Sequence, residues 1–329
     1  METLLLNKEE VGSLIDLDAV LDAVENGYRS FNNGLVVQPD FMAVSLPDTH
    51  GGIDFKGGLD MGSGYISMKS SSGGYDRNPD LGLPTGMNIV LLYEAATSAL
   101  KCIMDGTWIT GCRTGAAGAI SVKYLARTDA EKLCIIGAGS QARRQLCAIM
   151  RVRRLTEVRV WDTLPEFQEA YVKEMSKETG LPVHSCSTAE EAVRGADIVV
   201  TTTRARNGVH VKRDWLQPGV HIAAIGADMP GKQELSADVF EGAKVVTDST
   251  DLCVKCGETR NAVEVGIVRP ENIHAEIGEI ILGKKPGRES RDEVTIFDTV
   301  GMSIQDNVTG VMLFNAALEK GIGTWYEFF

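Results

Sequence analysis

Residues 133–142 read LCIIGAGSQA, a short apolar run followed by two glycines among small and polar residues. The apolar run is typical of a buried strand, and the residues after Gly139 are typical of the first turn of a helix. In this Gly-x-Gly-x-x-Ala pattern, Gly137 permits a tight turn, Gly139 lets the backbone approach a pyrophosphate, and the small Ala142 lets helix and strand pack together. The helix N-terminus then offers amide groups to an anion. The pattern, in this strand–turn–helix context, predicts a dinucleotide-binding site.

The residue that follows the next predicted strand indicates which dinucleotide binds. Asp162 comes directly after Val160-Trp161, 25 residues beyond Gly137. A carboxylate at this place accepts hydrogen bonds from the adenosine ribose and repels a 2′-phosphate, and residues 163–165 contain no arginine to hold such a phosphate. We therefore expect NAD(H) rather than NADP(H). The alternative, a glycine-rich turn that only starts a helix and an aspartate that only caps the next one, fits the matched context less well.

Strands and helices alternate from this site onward. Short apolar strands are predicted near residues 158–161, 183, 198–202, 220–225, 244–247 and 294–297, with helices between several of them. Such alternation is typical of a doubly wound parallel sheet, the Rossmann arrangement.

The flanking residues follow other patterns. Residues 36–92 are short apolar stretches divided by glycine-rich turns, which is typical of strands and hairpins, and residues 304–320 form a helical pattern outside the alternation. We therefore expect an α/β protein. A Rossmann domain would occupy residues 128–302, and a discontinuous α+β domain would combine residues 1–127 and 303–329.

The composition is that of an enzyme-sized globular protein. The chain has 329 residues, of which 43% are hydrophobic, and its formal net charge is −12. An acidic surface repels phosphate backbones, and no apolar run reaches the length of a membrane span, so we expect neither nucleic acid nor membrane as a partner. Seven scattered cysteines and the lack of signal-peptide features favour a cytoplasmic location. Cys253-x-x-Cys256 has no companion at zinc spacing, so no metal is expected.

Several motifs, in the same order, resemble the ornithine cyclodeaminase/mu-crystallin family over essentially the whole chain. Besides the glycine-rich fingerprint, the matching motifs are Met68-Lys69, Gly82-Leu83-Pro84-Thr85, Met104-Asp105-Gly106, Cys112-Arg113-Thr114-Gly115, Gly226-Ala227-Asp228-Met229-Pro230-Gly231-Lys232-Gln233-Glu234-Leu235, Gly283-Lys284-Lys285-Pro286-Gly287-Arg288, Phe297-Asp298-Thr299-Val300-Gly301 and Gln305-Asp306.

The resemblance implies a Rossmann domain, a second domain that binds substrate and builds a homodimer, and NAD(P)(H) as cofactor. Members of the family move a hydride at the α-carbon of an amino acid or its imine. Some are net dehydrogenases or imine reductases. The cyclodeaminases instead retain the cofactor and release ammonia.

The resemblance also implies roles for individual residues. Lys69 and Arg113 contact the α-carboxylate of the substrate, and Asp228 is the catalytic acid/base. Lys69 has a catalytic part as well, because its charge helps to deliver the free amine. Val300 contacts the substrate. The implied cofactor contacts, in addition to Gly137, Gly139 and Asp162, are Thr85, Arg113, Ser140, Gln141, Thr202, Ile225 and Thr299.

The residue types suit these roles. Arg113 is expected at the N-terminus of a small-residue helix over residues 114–124, and its planar guanidinium binds carboxylates bidentately. Lys69 is expected just after a strand over residues 65–68. Asp228 is expected at the carboxyl end of a buried strand, where doubly wound folds keep their sites. The structural alternatives are a solvated lysine, a structural salt bridge for Arg113 and a turn cap for Asp228.

The predicted pocket for the substrate side chain departs from the family pattern. Many members have an arginine shortly after the Gln38-Pro39 pair, whereas this chain has Asp40-Phe41. Asp54 fits the carboxylate that receives the distal amino group in the cyclodeaminase, but Lys56 would oppose that amino group. Lys56 therefore favours a substrate with a second carboxylate, such as iminosuccinate.

Three functions follow as hypotheses. The first is an NAD(H)-dependent imine reductase or amino-acid dehydrogenase, of the alanine dehydrogenase, ketimine reductase or iminosuccinate reductase type. The second is ornithine cyclodeaminase, which converts ornithine to proline and ammonia with retained NAD+. The third is a non-catalytic binder of the mu-crystallin kind, which the presence of Lys69, Arg113 and Asp228 disfavours.

Overall fold

Two units of the chain fold around separate sheets. The computed structural model describes residues 2–47, 51–75, 77–205 and 208–328. One unit comprises Met1–Arg113 and Met302–Phe329, and the other comprises Thr114–Gly301. The first unit is thus discontinuous.

The elements of the first unit surround those of the second in the sequence. Its N-terminal part contains β1 (Glu2–Leu6), α1 (Lys8–Leu14), α2 (Leu17–Asn32), β2 (Val36–Val37), β3 (Met42–Ser45), β4 (Gly52–Asp60), β5 (Tyr65–Gly73), β6 (Asn88–Glu94) and β7 (Leu100–Asp105), and α3 (Gly106–Leu125) then leads into the second unit. The second unit contains β8 (Lys132–Ile136), α4 (Ser140–Val152), β9 (Glu157–Trp161), α5 (Pro165–Thr179), β10 (Val183–Ser185), α6 (Ala189–Val193), β11 (Ile198–Thr201), β12 (His221–Ala224), β13 (Lys244–Thr247), α7 (Thr250–Cys256), α8 (Glu258–Glu264), β14 (Ala275–Glu276), α9 (Ile277–Ile281) and β15 (Thr295–Asp298). The chain returns to the first unit with α10 (Ser303–Lys320) and β16 (Thr324–Glu327).

The sheet of the first unit is mostly antiparallel. Its strand order is β16-β1-β7-β6-β5-β4-β2, with β3 paired to β4, and within the described residues only β1 and β7 pair in parallel. One face carries the apolar core. There Leu4, Val90 and Met104 pack with Leu313 and Phe314 of α10.

Helix α2 begins after the N-cap residue Asp16. The Asp16 side chain accepts hydrogen bonds from the N–H groups of Asp18 and Ala19, which satisfies donors that the first turn leaves unpaired. The helix ends before Gly34, whose φ of 72° is accessible to glycine at little cost.

The sheet of the second unit confirms the predicted Rossmann arrangement. Its order is β10-β9-β8-β11-β12-β15-β13-β14, and all the described pairs are parallel. The chain reverses the direction in which it adds strands at the β8/β11 pair. Ligands of such sheets bind beyond the carboxyl ends of the strands at this switch point, which is where the glycine-rich fingerprint lies.

Helix α3 differs from the prediction. It begins at Gly106, so Arg113 lies inside the helix, and the expectation that Arg113 sits at a helix N-terminus was wrong. The first division of the chain also falls before the boundary expected at residue 127. The reason is that the later part of α3 packs against α4: a Cβ at Gly115 would lie 2.7 Å from the carbonyl oxygen of Arg144.

Among the described helices, none combines the length and the apolarity that a bilayer span needs.

Candidate active site

The turn after β8 requires its glycine. Gly137 has a φ of 95°, and a Cβ there would lie 2.9 Å from the backbone of Thr202 and Thr203. The Thr202 hydroxyl donates to the carbonyl of Gly137 at 3.1 Å. Thr202 therefore joins the end of β11 to the fingerprint turn.

No described protein atom fills the space beside Gly139 at the start of α4. A Cβ at Gly139 would meet no described protein atom within 4 Å. Gly139 is the N-cap of α4 and provides no side chain to cap its amides. Ser140 is exposed, and Oε1 of Gln141 is buried without a hydrogen-bond partner in the described part of the chain. Amide groups at an uncapped helix N-terminus suit an anion such as a pyrophosphate.

A hydrogen bond holds Asp162 beside the same turn. Its Oδ2 accepts from the N–H of Ala138 at 2.6 Å, and its Oδ1 accepts from the N–H of Leu164 at 2.9 Å. The carboxylate is thus held beside the fingerprint, and each oxygen keeps lone pairs for ribose hydroxyls. The bond to Leu164, the N-cap residue of α5, also matches the alternative reading of Asp162 as a cap.

Ile225, Thr299 and Val300 lie beyond the ends of two neighbouring strands, β12 and β15. Ile225 donates its N–H to the carbonyl of Thr201 at 3.0 Å. Thr299 donates its hydroxyl to Oδ2 of the buried Asp248 at 2.5 Å. The structure thus brings the predicted cofactor residues of the second unit to one sheet edge.

Asp228 lies four residues beyond the end of β12. Its side chain is 45% exposed and forms an ion pair with Lys232. Sequence reasoning did not anticipate this partner, although Lys232 belongs to the same motif. Asp228 was expected directly at the end of the strand, and the difference arises because β12 is shorter than its apolar run.

The first unit contains a buried cluster of charges. Lys69 Nζ lies 2.7 Å from Oδ2 of Asp306, and Arg113 Nε lies 3.1 Å from Oδ1 of the same carboxylate. The side chains of Lys69 and Asp306 are 2% and 1% exposed. Arg113 also donates from Nη1 to Oε1 of Gln305 at 2.8 Å. Lys69 lies in the middle of β5, so the prediction that it follows the strand was wrong, and its burial contradicts the alternative of a solvated lysine.

Burial dominates the electrostatics of this cluster. It lowers the pKa of Lys69 to about 7, because the attraction of Asp306 offsets the desolvation only in part and repulsion from Arg113 and Lys56 lowers the pKa further. Burial alone would raise the pKa of Asp306, but Arg113 and Lys69 outweigh it and the net shift of that pKa is downward. Asp306 is therefore a carboxylate between two cations.

Lys56 stands beside this cluster. It lies directly opposite Lys69 on the neighbouring strand, and directly paired residues point to the same face of a sheet. Its Nζ is 5.4 Å from the centroid of the Phe41 ring. Asp54 precedes Lys56 by two residues and points to the same face. Thr85, another predicted cofactor residue, is exposed in the loop before β6.

Comparison with known proteins identifies the family. The sequence model of the ornithine cyclodeaminase/mu-crystallin family matches residues 1–321. The chain belongs to this family. An archaeal alanine dehydrogenase dimer with bound NAD is 39% identical, with a TM-score of 0.93, and the alignment covers 100% of both chains.

Two further structures are similar over nearly the whole chain. The Δ1-pyrroline-2-carboxylate reductase of Thermococcus litoralis, in complex with NADH and L-proline, is 33% identical with a TM-score of 0.92, and 98% of this chain and 99% of that chain align. The iminosuccinate reductase of Paracoccus denitrificans, in complex with NAD+, is 28% identical with a TM-score of 0.92, and 99% and 100% align. The three relatives share a bound nicotinamide cofactor.

Proposed function

We propose that the protein is an NAD(H)-dependent imine reductase or amino-acid dehydrogenase that acts at C2 of an α-imino or α-amino acid. The observation that carries this proposal is the buried cluster of Lys69, Arg113 and Asp306 in a member of this family. Two buried cations share one carboxylate, so the cluster has excess positive charge that the carboxylate of a substrate can neutralise. The three relatives above are a dehydrogenase and two reductases of such acids.

The second unit fits a nicotinamide dinucleotide. The open side of Gly139 and the uncapped N-terminus of α4 suit the pyrophosphate. Asp162 suits the adenosine ribose and disfavours a 2′-phosphate. The other residues proposed to hold the cofactor are Thr85, Arg113, Gly137, Ser140, Gln141, Thr202, Ile225 and Thr299. When bound, NADH supplies the hydride that reduces C2 of an imino acid.

Side chains of this protein supply the rest of the chemistry. Arg113 and Lys69 bind and orient the α-carboxylate, with Arg113 able to do so through two parallel N–H groups. Asp228 donates a proton to the substrate nitrogen during reduction and accepts it during oxidation. Because Asp228 forms an ion pair with Lys232, the proton must pass at the carboxylate oxygen that Lys232 leaves accessible. Val300 is proposed to contact the substrate beside Thr299.

Lys56 is proposed to select the substrate side chain. It adds a third cation to the face of the sheet that carries Lys69, and it contributes to lowering the pKa of both Lys69 and Asp306. This charge attracts the second carboxylate of a substrate and repels the distal ammonium of ornithine. Lys56 therefore favours an iminosuccinate-like acid over the substrate of a cyclodeaminase.

A substrate panel tests the proposal. We would follow NADH oxidation with pyruvate or oxaloacetate plus ammonia, with pyruvate plus methylamine and with cyclic imines, and would offer ornithine with NAD+. The wild type is expected to consume NADH with at least one imino acid. Lys56→Met should raise KM for a dicarboxylate imine by about 10-fold or more and leave KM for a monocarboxylate imine nearly unchanged. Equal effects on both would contradict the role of Lys56.

The assembly proposed is a homodimer. On β5 the side chains alternate, with Ser67 and Lys69 buried and Ile66 and Met68 exposed. The exposed set continues on β3 and β6 with Met42, Val44 and Ile89, which are 43–58% exposed. We call these five residues the open face. A second copy of the chain is the proposed occupant, since a similar alanine dehydrogenase is a dimer and apolar patches of this kind mark association sites.

The seven cysteines are free thiols, which supports a reducing, cytoplasmic location.

A further inference from the structure

Four buried carboxylates lie near the carboxyl edge of the second-unit sheet, and none belongs to the predicted site. They are Glu234, Glu258, Asp298 and Asp248, each 0% exposed. Burying a carboxylate is costly unless hydrogen bonds satisfy it. Here the bonds come from backbone N–H groups and side-chain hydroxyl and thiol groups of the same unit. The geometry of these bonds shows what the carboxylates hold in place.

Glu234 joins two strand ends. Its Oε1 accepts from the N–H of Thr203 at 2.6 Å, just beyond β11, and its Oε2 accepts from the N–H of Gly226 at 2.9 Å, just beyond β12. A Cβ at Gly226 would overlap this carboxylate. Thr203 follows the proposed cofactor residue Thr202, and Gly226 lies between Ile225 and Asp228. One side chain therefore fixes the backbone at both places.

Glu258 and Asp298 hold Glu234 in turn. Glu258 accepts from the N–H of Glu234 and, at 3.2 Å, from that of Leu235. Asp298 accepts from the N–H of Glu258 at 3.2 Å and from that of Thr259 at 2.8 Å. Each carboxylate thus binds the backbone that carries the next one.

Asp248 completes the series at the other end. Its N–H donates to the carbonyl of Asp298 at 3.1 Å. Its Oδ2 accepts from the Thr299 hydroxyl at 2.5 Å and from the N–H of Gly301 at 2.9 Å. We call Glu234, Glu258, Asp298 and Asp248 the carboxylate ladder. It runs without a gap from Thr203 to Gly301, and its two ends hold the segments that the proposed function uses.

We propose that Glu234 is a positioning residue for hydride transfer and that the rest of the carboxylate ladder holds it, together with Thr299 and Val300, in the reactive arrangement. The inference rests on the proposed function, because it concerns the same cofactor and substrate segments. An ionised carboxylate only accepts hydrogen bonds, so its two oxygens match two N–H groups. Burial raises the pKa of Glu234, which these N–H bonds counteract. An apolar side chain would pack at lower cost but would leave both N–H groups unpaired.

The test is Glu234→Gln in the full-length protein. The amide has one acceptor oxygen, so either Thr203 or Gly226 loses its bond and faces an NH₂ donor. We expect kcat for imine reduction to fall by about 10-fold or more, while KM for the imino acid and Kd for NADH change by less than about 3-fold, because small displacements of reacting groups cost rate more than binding. The primary isotope effect with 4-deuterated NADH should rise. Glu190→Gln, on the exposed face of α6, is the control and should match the wild type.

The other outcomes are equally decisive. A Glu234→Gln protein with wild-type kcat would overturn the proposal, as would a loss of kcat that equals its loss of folded protein by circular dichroism. If Glu234→Gln does not fold, Glu258→Gln replaces it, since that change leaves both bonds of the Glu234 carboxylate in place. A kcat decrease of about 3-fold or more with intact NADH binding supports the ladder. Wild-type kcat, or failure of both variants to fold, contradicts it. Wild-type protein that binds NADH and reduces no imino acid contradicts the proposed function instead.

Discussion

Lys69 is only 2% exposed, and it can be buried in the first unit because the Asp306 carboxylate lies 2.7 Å from its Nζ. The same carboxylate also forms an ion pair with Arg113, and Lys56 on the neighbouring strand repels Lys69. The cluster therefore has more positive than negative charge in a place that water reaches poorly. In the proposed function, the carboxylate of a substrate balances that excess positive charge.

The pKa of Lys69 predicts how substrate capture depends on pH. Burial lowers this pKa to about 7, so the free enzyme loses the cation as the pH rises through that value. Because kcat/KM reports groups of the free enzyme, we expect kcat/KM for the imino acid to fall above about pH 7. Steady-state kinetics between about pH 6 and pH 9 measure this decline.

The matched variant for this prediction is Lys69→Arg. Arginine remains charged over that whole range, so the fall of kcat/KM above about pH 7 should disappear even if the absolute value is lower. A variant that keeps the same decline would show that a group other than Lys69 titrates.

The ion pair with Asp306 was not predictable from the sequence. Lys69 and Asp306 are 237 residues apart, and nothing in the local pattern of either residue indicates the other. Asp306 entered the sequence analysis only as part of a family motif. The positions of the buried acids Asp298 and Asp248 were a weak signal, since Asp298 ends one apolar strand of a parallel sheet and Asp248 directly follows another, as a site carboxylate often does.

At the scale of elements, the strand–turn–helix over β8 and α4 was predictable because all its determinants are local. Alternating apolar runs likewise predicted most strands of the second unit. Helix α3 was predicted to start too late because residues 106–113 contain glycines and β-branched residues with low helix propensity. The missed signal was Asp105, whose side chain accepts from the N–H of Thr107 at 3.1 Å and so caps the helix start.

Two glycines of the fingerprint should respond differently to a methyl group. Gly137→Ala places a Cβ against the backbone of Thr202 and Thr203 at a φ of 95°. We expect this change to lower the thermal midpoint of unfolding by several degrees. Gly139→Ala meets no described protein atom within 4 Å, so it should leave the midpoint unchanged and weaken NADH binding by about 10-fold or more.

Thermal unfolding and NADH fluorescence titration of both variants measure these effects. If Gly139→Ala binds NADH as tightly as the wild type, the pyrophosphate does not approach this residue. That result would remove the structural basis for the cofactor site.

At the scale of the whole molecule, the apolar side chains of the open face are exposed to solvent, and we expect a second copy of the chain to bury them. Ile66 and Ile89 are large apolar side chains on neighbouring strands of that face, 36% and 43% exposed. We expect the wild type to sediment as a dimer and the double variant Ile66→Glu/Ile89→Glu to sediment as a monomer, because paired charges at an apolar interface cannot be solvated.

Phe167→Glu is the control for this experiment. Phe167 is an apolar residue on α5 of the second unit and is 49% exposed, so this variant replaces one exposed apolar side chain by glutamate outside the open face. Analytical ultracentrifugation should find this variant dimeric. A wild-type monomer, or a dimer that survives both changes on the open face, would contradict the proposed assembly.

Net redox chemistry at C2 is the central claim, and the stoichiometry of one reaction tests it most directly. We would mix the protein with NADH and the best imino acid of the panel and measure both the NADH consumed and the amino acid formed. One NADH oxidised for each amino acid formed is the predicted result. Release of ammonia from ornithine with catalytic NAD+ and no net change in NADH, without imine reduction, would contradict the account and identify a cyclodeaminase.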